Sequence, residues 1–253
     1  GDCLYLVMDF MPGGDFFTLL RNKQLPNATL MIYAAEVLLA LEHLHKHNII
    51  YRDLKPENVL LGATGHLKLA DMGLSKILDS HDGQTATLCG TDSYLPPEMI
   101  LDKRYSVSVD LWQFGCYIFE LFAGRSPFWK PRHQRQNLHS EIIRGQYNTP
   151  SAVPLPAQNI VRLLLQHEVG ERLGCGERGW ADVKSHEFFA LIDSWDPQEL
   201  VKRSVFETKQ SLGEVIMNNF HESFTSQDPT WSTEEMLPES MSEGNFLGFD
   251  FTN

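Results

Sequence analysis

The sequence predicts an α+β protein, mainly α, with short β-hairpins around one polar loop and an extended C-terminal tail. Three observations carry that expectation. Residues 27–47 and 108–124 have long helical apolar patterns; the short apolar runs Ile49-Ile50, Val59-Leu60-Leu61 and His66-Leu67-Lys68-Leu69-Ala70 are set off by polar or Gly-containing turns; and past Trp195 the chain turns acidic and loses periodicity. With 253 residues and 42% apolar content it can bury one large core or two modest ones, and no run approaches the ~20 apolar residues of a membrane span.

The net charge of −12 is unevenly placed: residues 1–181 hold 19 acidic and 17 basic side chains, residues 182–253 hold 14 and 4. The acidity therefore belongs to the C-terminal part, and the lack of a basic stripe argues against nucleic acid as a partner. Cys3, Cys89, Cys116 and Cys175 are scattered, with no C-x-x-C pair. Free thiols in a reducing compartment, cytoplasmic or nuclear, are expected from that spacing.

Taken in order, Leu4-Tyr5-Leu6-Val7-Met8-Asp9-Phe10 reads as a strand running into the turn Met11-Pro12-Gly13-Gly14. A buried strand at the extreme terminus would have an unpaired edge, so the sequence reads as truncated. Residues 27–47 place Leu30, Tyr33, Ala34, Val37, Leu38, Leu41 and Leu44 on one helical face, with Asn27 or Thr29 as the N-cap. His43 and His47 share a face at zinc-site separation, yet no H-E-x-x-H or third ligand accompanies them, and they read as polar residues at a helix end. After the turn Gly62-Ala63-Thr64-Gly65, the strand over 66–70 leads into Asp71-Met72-Gly73. Residues 74–91 are polar, with Ser80, Thr85 and Thr87 as hydroxyls. Residues 108–124 are apolar on nearly every face, as a helix surrounded by protein must be, and Gly124 is a natural stop. Helical patterns over 141–145, 159–168 and 182–191 follow, and there are no internal repeats.

The chemistry concentrates in Tyr51-Arg52-Asp53-Leu54-Lys55-Pro56-Glu57-Asn58-Val59-Leu60-Leu61, where an acid, a base and an amide stand at fixed offsets between two short strands. Those strands deliver Asn58 and Asp71 near one point, and an amide with a carboxylate is an oxygen set suited to magnesium. The offsets match the pattern H-R-D-L-x-x-x-N, with Tyr51 in the place of the His. The segment resembles a protein kinase catalytic loop, and Tyr51 with Lys55-Pro56-Glu57 resembles the AGC group of Ser/Thr kinases. Thr87-Leu88-Cys89-Gly90-Thr91 is similar to an AGC activation loop, and Tyr94-Leu95-Pro96-Pro97-Glu98 stands where the family has A-P-E. Residues 220–227 and Phe246-Leu247-Gly248-Phe249-Asp250-Phe251 look like the AGC C-terminal tail, most of all that of the ribosomal S6 and RSK kinases.

The resemblance implies a kinase-like large (C-terminal) lobe over 15–192, preceded by the last small-lobe strand and hinge over 1–14 and followed by an AGC tail over 193–253, with its hydrophobic motif at 246–251. It implies a serine/threonine kinase using ATP and Mg2+. Asp53 would act on the substrate hydroxyl, Lys55 on the transferring charge, and Asn58 and Asp71 on magnesium. Met8, Asp9, Met11, Asp15, Glu57 and Leu60 would line the nucleotide side, Met8 behind the adenine, Asp9 and Met11 at its edge and Asp15 at the ribose. Met72 replaces the usual Phe of D-F-G and would pack against the core. Thr87 would be phosphorylated by an upstream kinase and received by Arg52 and Lys76. Ser232 would be the turn-motif phosphosite, and Asp250 would replace the phosphosite of the hydrophobic motif. Asp110 would hold the backbone at Tyr51-Arg52, Thr91 would bond near Asp53 and Lys55, and Glu98 would pair with Arg172. Glu57, Asp15 and Glu120 would receive arginines of a protein substrate, although Ser93 replaces an acidic residue found in some members. The Gly-rich loop and the small-lobe Lys with its Glu partner are not in these residues, so the chain alone would lack half of the ATP site and be inactive. The rivals are a pseudokinase or regulatory interaction module and a small-molecule phosphotransferase. The intact Asp53, Lys55, Asn58 and Asp71 oppose the first, and residues 87–98 with the tail oppose the second.

Overall fold

The computed structural model describes residues 8–22, 24–80 and 83–203. Residues 11–219 form one compact unit; residues 1–10 and 220–253 form another, of which only residues 8–10 are described. The expected strand over 4–10 is not seen in its described part, which is irregular with Met8 and Phe10 exposed. Residues 4–7 of that expectation lie outside the described residues. Ser232, Asp250 and residues 246–251 also lie outside the described residues.

The large unit opens with α1 (Phe16–Asn22) and α2 (Asn27–Lys46). The α2 N-cap is Pro26, neither Asn27 nor Thr29, and no side chain caps the helix. Pro26 supplies an extended entry, and its carbonyl accepts from Leu30 N at 3.1 Å. The inner face of α2 is the expected one, with Leu30, Tyr33, Ala34, Val37, Leu38 and Leu41 buried. Four short strands follow: β1 (Ile49–Ile50), β2 (Val59–Leu61), β3 (Leu67–Leu69) and β4 (Lys76–Ile77). Only β2 and β3 form a hairpin, antiparallel in the register Val59↔Leu69; β1 is paired instead by β4, Ile49 opposite Ile77. Glu36 of α2 fixes the β2–β3 turn, accepting from Leu67 N at 2.8 Å and pairing with His66 Nδ1 at 2.6 Å.

After α3 (Pro97–Ile100) comes α4 (Ser108–Ala123), in which every residue from Ser108 to Leu121 is buried. Gly124 ends it in the left-handed region (φ 71°), the conformation that glycine adopts without penalty. The remaining helices among the described residues are α5 (Leu138–Ile143), α6 (Leu155–Leu164), α7 (Trp180–Lys184) and α8 (Pro197–Leu200). Gly115 sets the approach of α4 to α6: a Cβ there would lie 2.9 Å from Leu164 Cβ. Three expected helices differ in extent; the pattern over 141–145 belongs to α5, which begins earlier, at Leu138, and ends at Ile143. The pattern over 159–168 begins earlier, at Leu155, because Pro156 sits where the helix has unpaired amides anyway. The pattern over 182–191 breaks after Lys184, where extended His186 turns its ring to accept from Phe188 N at 3.1 Å and starts a separate 3-10 turn over Glu187–Phe189. Helix α8 was not expected past Trp195; Asp196 caps it, accepting from Gln198 N at 2.9 Å, and it packs on α2 with Leu200 buried. Cys89, Cys116 and Cys175 are free thiols, as their spacing predicted.

Candidate active site

The loop over 51–58 is held from below by α4. Asp110, fully buried, accepts from Tyr51 N at 2.9 Å through Oδ2 and from Arg52 N at 2.8 Å through Oδ1. His45 Nε2 lies 2.7 Å from Asp110 Oδ2, while its Nδ1 lies 3.0 Å from Trp180 Nε1. An indole nitrogen only donates, so His45 accepts at Nδ1 and carries its proton at Nε2, toward the carboxylate. One turn along α4, Gln113 grips the next peptides: Nε2 donates to Arg52 O at 2.8 Å and Oε1 accepts from Leu54 N at 3.0 Å. Between these clamps Arg52 adopts φ 70°, a conformation rare for a side chain with a Cβ. Strain of that kind persists only where the surroundings over-determine it. Here both of its main-chain polar groups and its guanidinium are fixed, Nε on Leu74 O at 2.6 Å and Nη1 on Tyr105 Oη at 3.0 Å.

This backbone presents Asp53 as an acceptor of three donors. Its Oδ2 takes Lys55 Nζ and Asn58 Nδ2, each at 2.8 Å, and its Oδ1 takes Thr91 Oγ1 at 2.8 Å. Lys55 also donates to Thr91 Oγ1 at 3.0 Å, closing the ring. Asn58 spends its amide nitrogen on Asp53, with a further bond to Asp53 O at 2.9 Å, which leaves its carbonyl oxygen for another partner. Asn58 O accepts from Ala70 N at 2.9 Å, and Tyr51 Oη donates to Ala70 O, so the open end of the hairpin and the loop over 51–58 together fix the residue before Asp71. Burial, reinforced by the nearby carboxylates, pushes the Tyr51 phenol well up, which keeps it a neutral donor. Asp71 itself is exposed at φ 54°, with Oδ1 accepting from Gly73 N at 3.0 Å. The donor set, the Asn58 amide oxygen and the Asp71 carboxylate with Oδ2 left over from the bond to Gly73, therefore fits a hard divalent cation that retains water and phosphate ligands. No cluster of three or more His, Cys, Asp or Glu suited to a metal occurs among the described residues, His43 and His47 included.

A protein kinase domain model matches residues 1–189. The chain belongs to the protein kinase family. It is 44% identical over 194 residues to the cAMP-dependent protein kinase catalytic subunit of Arthrobotrys oligospora, covering 76% of this chain and 36% of that protein. It is 39% identical over 258 residues to the serine/threonine-protein kinase SCH9 of Candida albicans, covering 99% and 32%. Protein kinase 2 of Dictyostelium discoideum is 37% identical over 251 residues, covering 98% and 50%. These relatives are of AGC type, and the chain spans between about a third and a half of their length.

Residues 13–15 are tied to the β2–β3 hairpin. Gly13 N donates to Leu61 O and Leu61 N to Gly14 O, both at 2.9 Å, and Asp15 is bridged to Leu60. The Asp15 carboxylate also caps α1, accepting from Thr18 N at 2.8 Å and Thr18 Oγ1 at 2.9 Å. Met11 and Leu60 are half-buried beside it. Met8 and Asp9 are exposed and belong to the other unit. Met72 corrects an expectation: it is 48% exposed, with its sulphur accepting from Ser75 Oγ, because the Asp71–Gly73 turn lies at the surface of this unit.

Residues 74–91 are pinned at Thr85, whose N and O both bond Tyr105 and whose Oγ1 accepts from Lys76 Nζ at 2.9 Å. Thr87 is exposed, its carbonyl held by Tyr105 Oη. Arg52 and Lys76 thus converge on this segment, with Lys76 on the Thr85 hydroxyl. Glu98 and Arg172 form the expected buried pair, bidentate at 2.6 and 2.9 Å, with Arg172 also on Ser108 O and its guanidinium 5.2 Å from the Trp112 ring. Glu120 is buried and accepts from Tyr94 Oη at 2.6 Å. Burial raises its carboxyl, the Tyr94 bond opposes that, and the charge of Glu57, itself exposed, raises it further. Gln113, Tyr105 and the His45–Trp180 pair were missed by sequence reasoning. For Gln113 a signal existed: it follows Asp110 by one helical turn in an otherwise apolar helix.

Proposed function

We propose that this chain carries the catalytic lobe of an AGC-type serine/threonine protein kinase that transfers the γ-phosphoryl group of ATP to protein hydroxyls. The observation that carries this reading is the Asp53 carboxylate, locked by Lys55, Asn58 and Thr91 on a backbone that α4 clamps at both Asp110 and Gln113. Asp53 orients the acceptor hydroxyl and takes its proton. Lys55 sits beside it, where negative charge grows on the transferring group, and needs no rearrangement to meet it. Asn58 Oδ1 and the Asp71 carboxylate would hold magnesium, while Met11, Asp15 and Leu60 would meet the nucleotide. When bound, Mg-ATP supplies the phosphoryl group and neutralises its charge. The chain's relatives are two to three times longer, and in this reading the Gly-rich loop and phosphate-gripping Lys come from a small lobe outside residues 1–253.

The finer assignments rest on the resemblance. Residues 193–253 are read as an S6 kinase or RSK type of tail. Thr87 is read as the activation phosphosite, with Arg52 and Lys76 as its receivers. Glu57 and Glu120 would receive arginines near the acceptor, and the mutual charge effect on Glu120 supports a site that gains from a cation.

In the full-length protein, Asp53→Ala should lower phosphate transfer to arginine-containing peptides by at least ~10²-fold, the scale of general-base help. The thermal unfolding midpoint should stay near wild type, because Lys55 and Thr91 still bond one another. Undiminished transfer would overturn the assignment.

A further inference from the structure

Between Glu120 and Glu141 the sequence has no acidic residue, yet it carries Arg125, Lys130, Arg132 and Arg135 in a chain of net charge −12. The 3-10 helix Arg132–Asn137, ahead of α5, lies in that stretch. A cavity of about 160 Å³ separates it from the segment after the catalytic loop, lined by Thr91, Asp92, Ser93, Trp129, Lys130 and Arg135 among others. The Thr91 hydroxyl is 2.8 Å from Asp53, so the cavity adjoins the reacting carboxylate through one residue.

The charges around it are unequally spent. Lys130 is paired with Glu141 at 3.0 Å. Arg135 donates Nε to Lys130 O at 3.2 Å and has no carboxylate partner among the described residues. Four of its five N–H donors remain. Thr91 and Ser93 add neutral hydroxyls, and the one acid in the lining, Asp92, is exposed. Ser93 stands where some AGC kinases carry an acid, so a repulsive group is missing from the wall.

We infer that this cavity is a subsite for an anionic side chain of the protein substrate, a carboxylate or a phosphorylated Ser or Thr, with Arg135 as its main ligand. The inference rests on the kinase reading above. A guanidinium matches either anion with parallel hydrogen bonds, and the volume admits one such group. A substrate chain then offers arginines to Glu57 and Glu120 and an acid to Arg135, two opposite charges that fix its register over Asp53.

The test uses full-length protein and peptides with arginines and one acceptor Ser, scanned with Gln, Glu or phosphoserine at every other position. Turnover is measured on these, and equilibrium binding by fluorescence anisotropy on matching peptides with Ala as acceptor. At one position Glu should bind about threefold and phosphoserine about tenfold more tightly than Gln, a gain that added salt weakens. Arg135→Gln should erase the ratio, Arg135→Lys keep part of it, and Asp92→Asn raise it. A gain for phosphoserine alone assigns the subsite to previously phosphorylated substrates; a gain for both assigns it to charge. Equal binding of all three at every position, or a preference that survives Arg135→Gln, overturns the inference. Binding preference without turnover on any peptide would instead refute the kinase reading and leave the subsite standing; turnover without preference does the reverse.

Discussion

Residues 51–61 and residues 71–91 meet at Asp53, and they are secured in opposite ways. In the first stretch Tyr51, Arg52, Asp53 and Leu54 are buried, and the amides of 51, 52 and 54 end on side chains of α4. In the second, Asp71, Met72, Gly73 and Leu74 are exposed, as is Thr87, and the attachments alternate with exposed stretches: Leu74 O on Arg52, β4 on β1, Thr85 on Tyr105, Thr87 O on Tyr105 and Thr91 on Asp53. Regions with few buried contacts open at low cost, whereas those bonded into the core open only with the whole fold. The Asp53 carboxylate is therefore placed by the core, and in the proposed kinase reading the segment that meets it is left accessible to modification.

The harshest way to break that comparison is to remove Asp110. Asp110→Ala strands the amides of Tyr51 and Arg52 and the Nε2 proton of His45 away from water. Leaving buried donors without their charged partner costs roughly 3–5 kcal/mol, which urea unfolding would read as a fall in midpoint at constant slope. A loss under about 1 kcal/mol would mean that the loop is not anchored through α4. Thr87→Ala probes the other side. Thr87 is exposed, so stability should change by less than about 0.5 kcal/mol. Transfer by the phosphorylated full-length protein should still fall at least about tenfold, since one or more charge-assisted bonds to Arg52 or Lys76 would be lost. If the activity of the variant matched wild type, Thr87 would not be the regulatory hydroxyl, and Thr85, already on Lys76, would be next to examine.

Much of the deep architecture was legible in the residues. Asp110, Thr91 and the Glu98–Arg172 pair fell where the kinase resemblance placed them, and the charged groups among them are partnered, as buried charges must be. Gly124 stopped α4 as expected, since the left-handed region favours glycine. What escaped was tertiary. That β1 pairs β4 rather than forming a hairpin depends on where the activation segment returns, which no local pattern records. The exposure of Met72 and the break of the helix at His186 are likewise set by what surrounds each turn, while apolar spacing alone predicts burial and continuity. Trp180, which fixes the tautomer of His45, is 135 residues away in sequence and carries no sign of it.

Glu120 tests whether the rigid side also faces substrate. It rises from α4, as Asp110 does, but its carboxyl is raised by burial and by the charge of Glu57, with the Tyr94 hydroxyl and the charge of Arg21 opposing. A raised folded value means that protonation favours the fold: this stabilisation is complete below the unfolded carboxylate range and is lost as pH rises through the raised value. Glu120→Gln mimics the protonated group, so stability at neutral pH should be unchanged or slightly higher. The KM for arginine-containing peptides should nonetheless rise about three- to tenfold with kcat nearly constant, since a partly desolvated charge pair is lost from binding alone. In the wild type the same KM should fall as pH rises through the Glu120 transition, and in the variant that dependence should flatten. An unaltered KM in Glu120→Gln would leave Glu120 as a partner of Tyr94 only and confine the role of α4 to holding the loop.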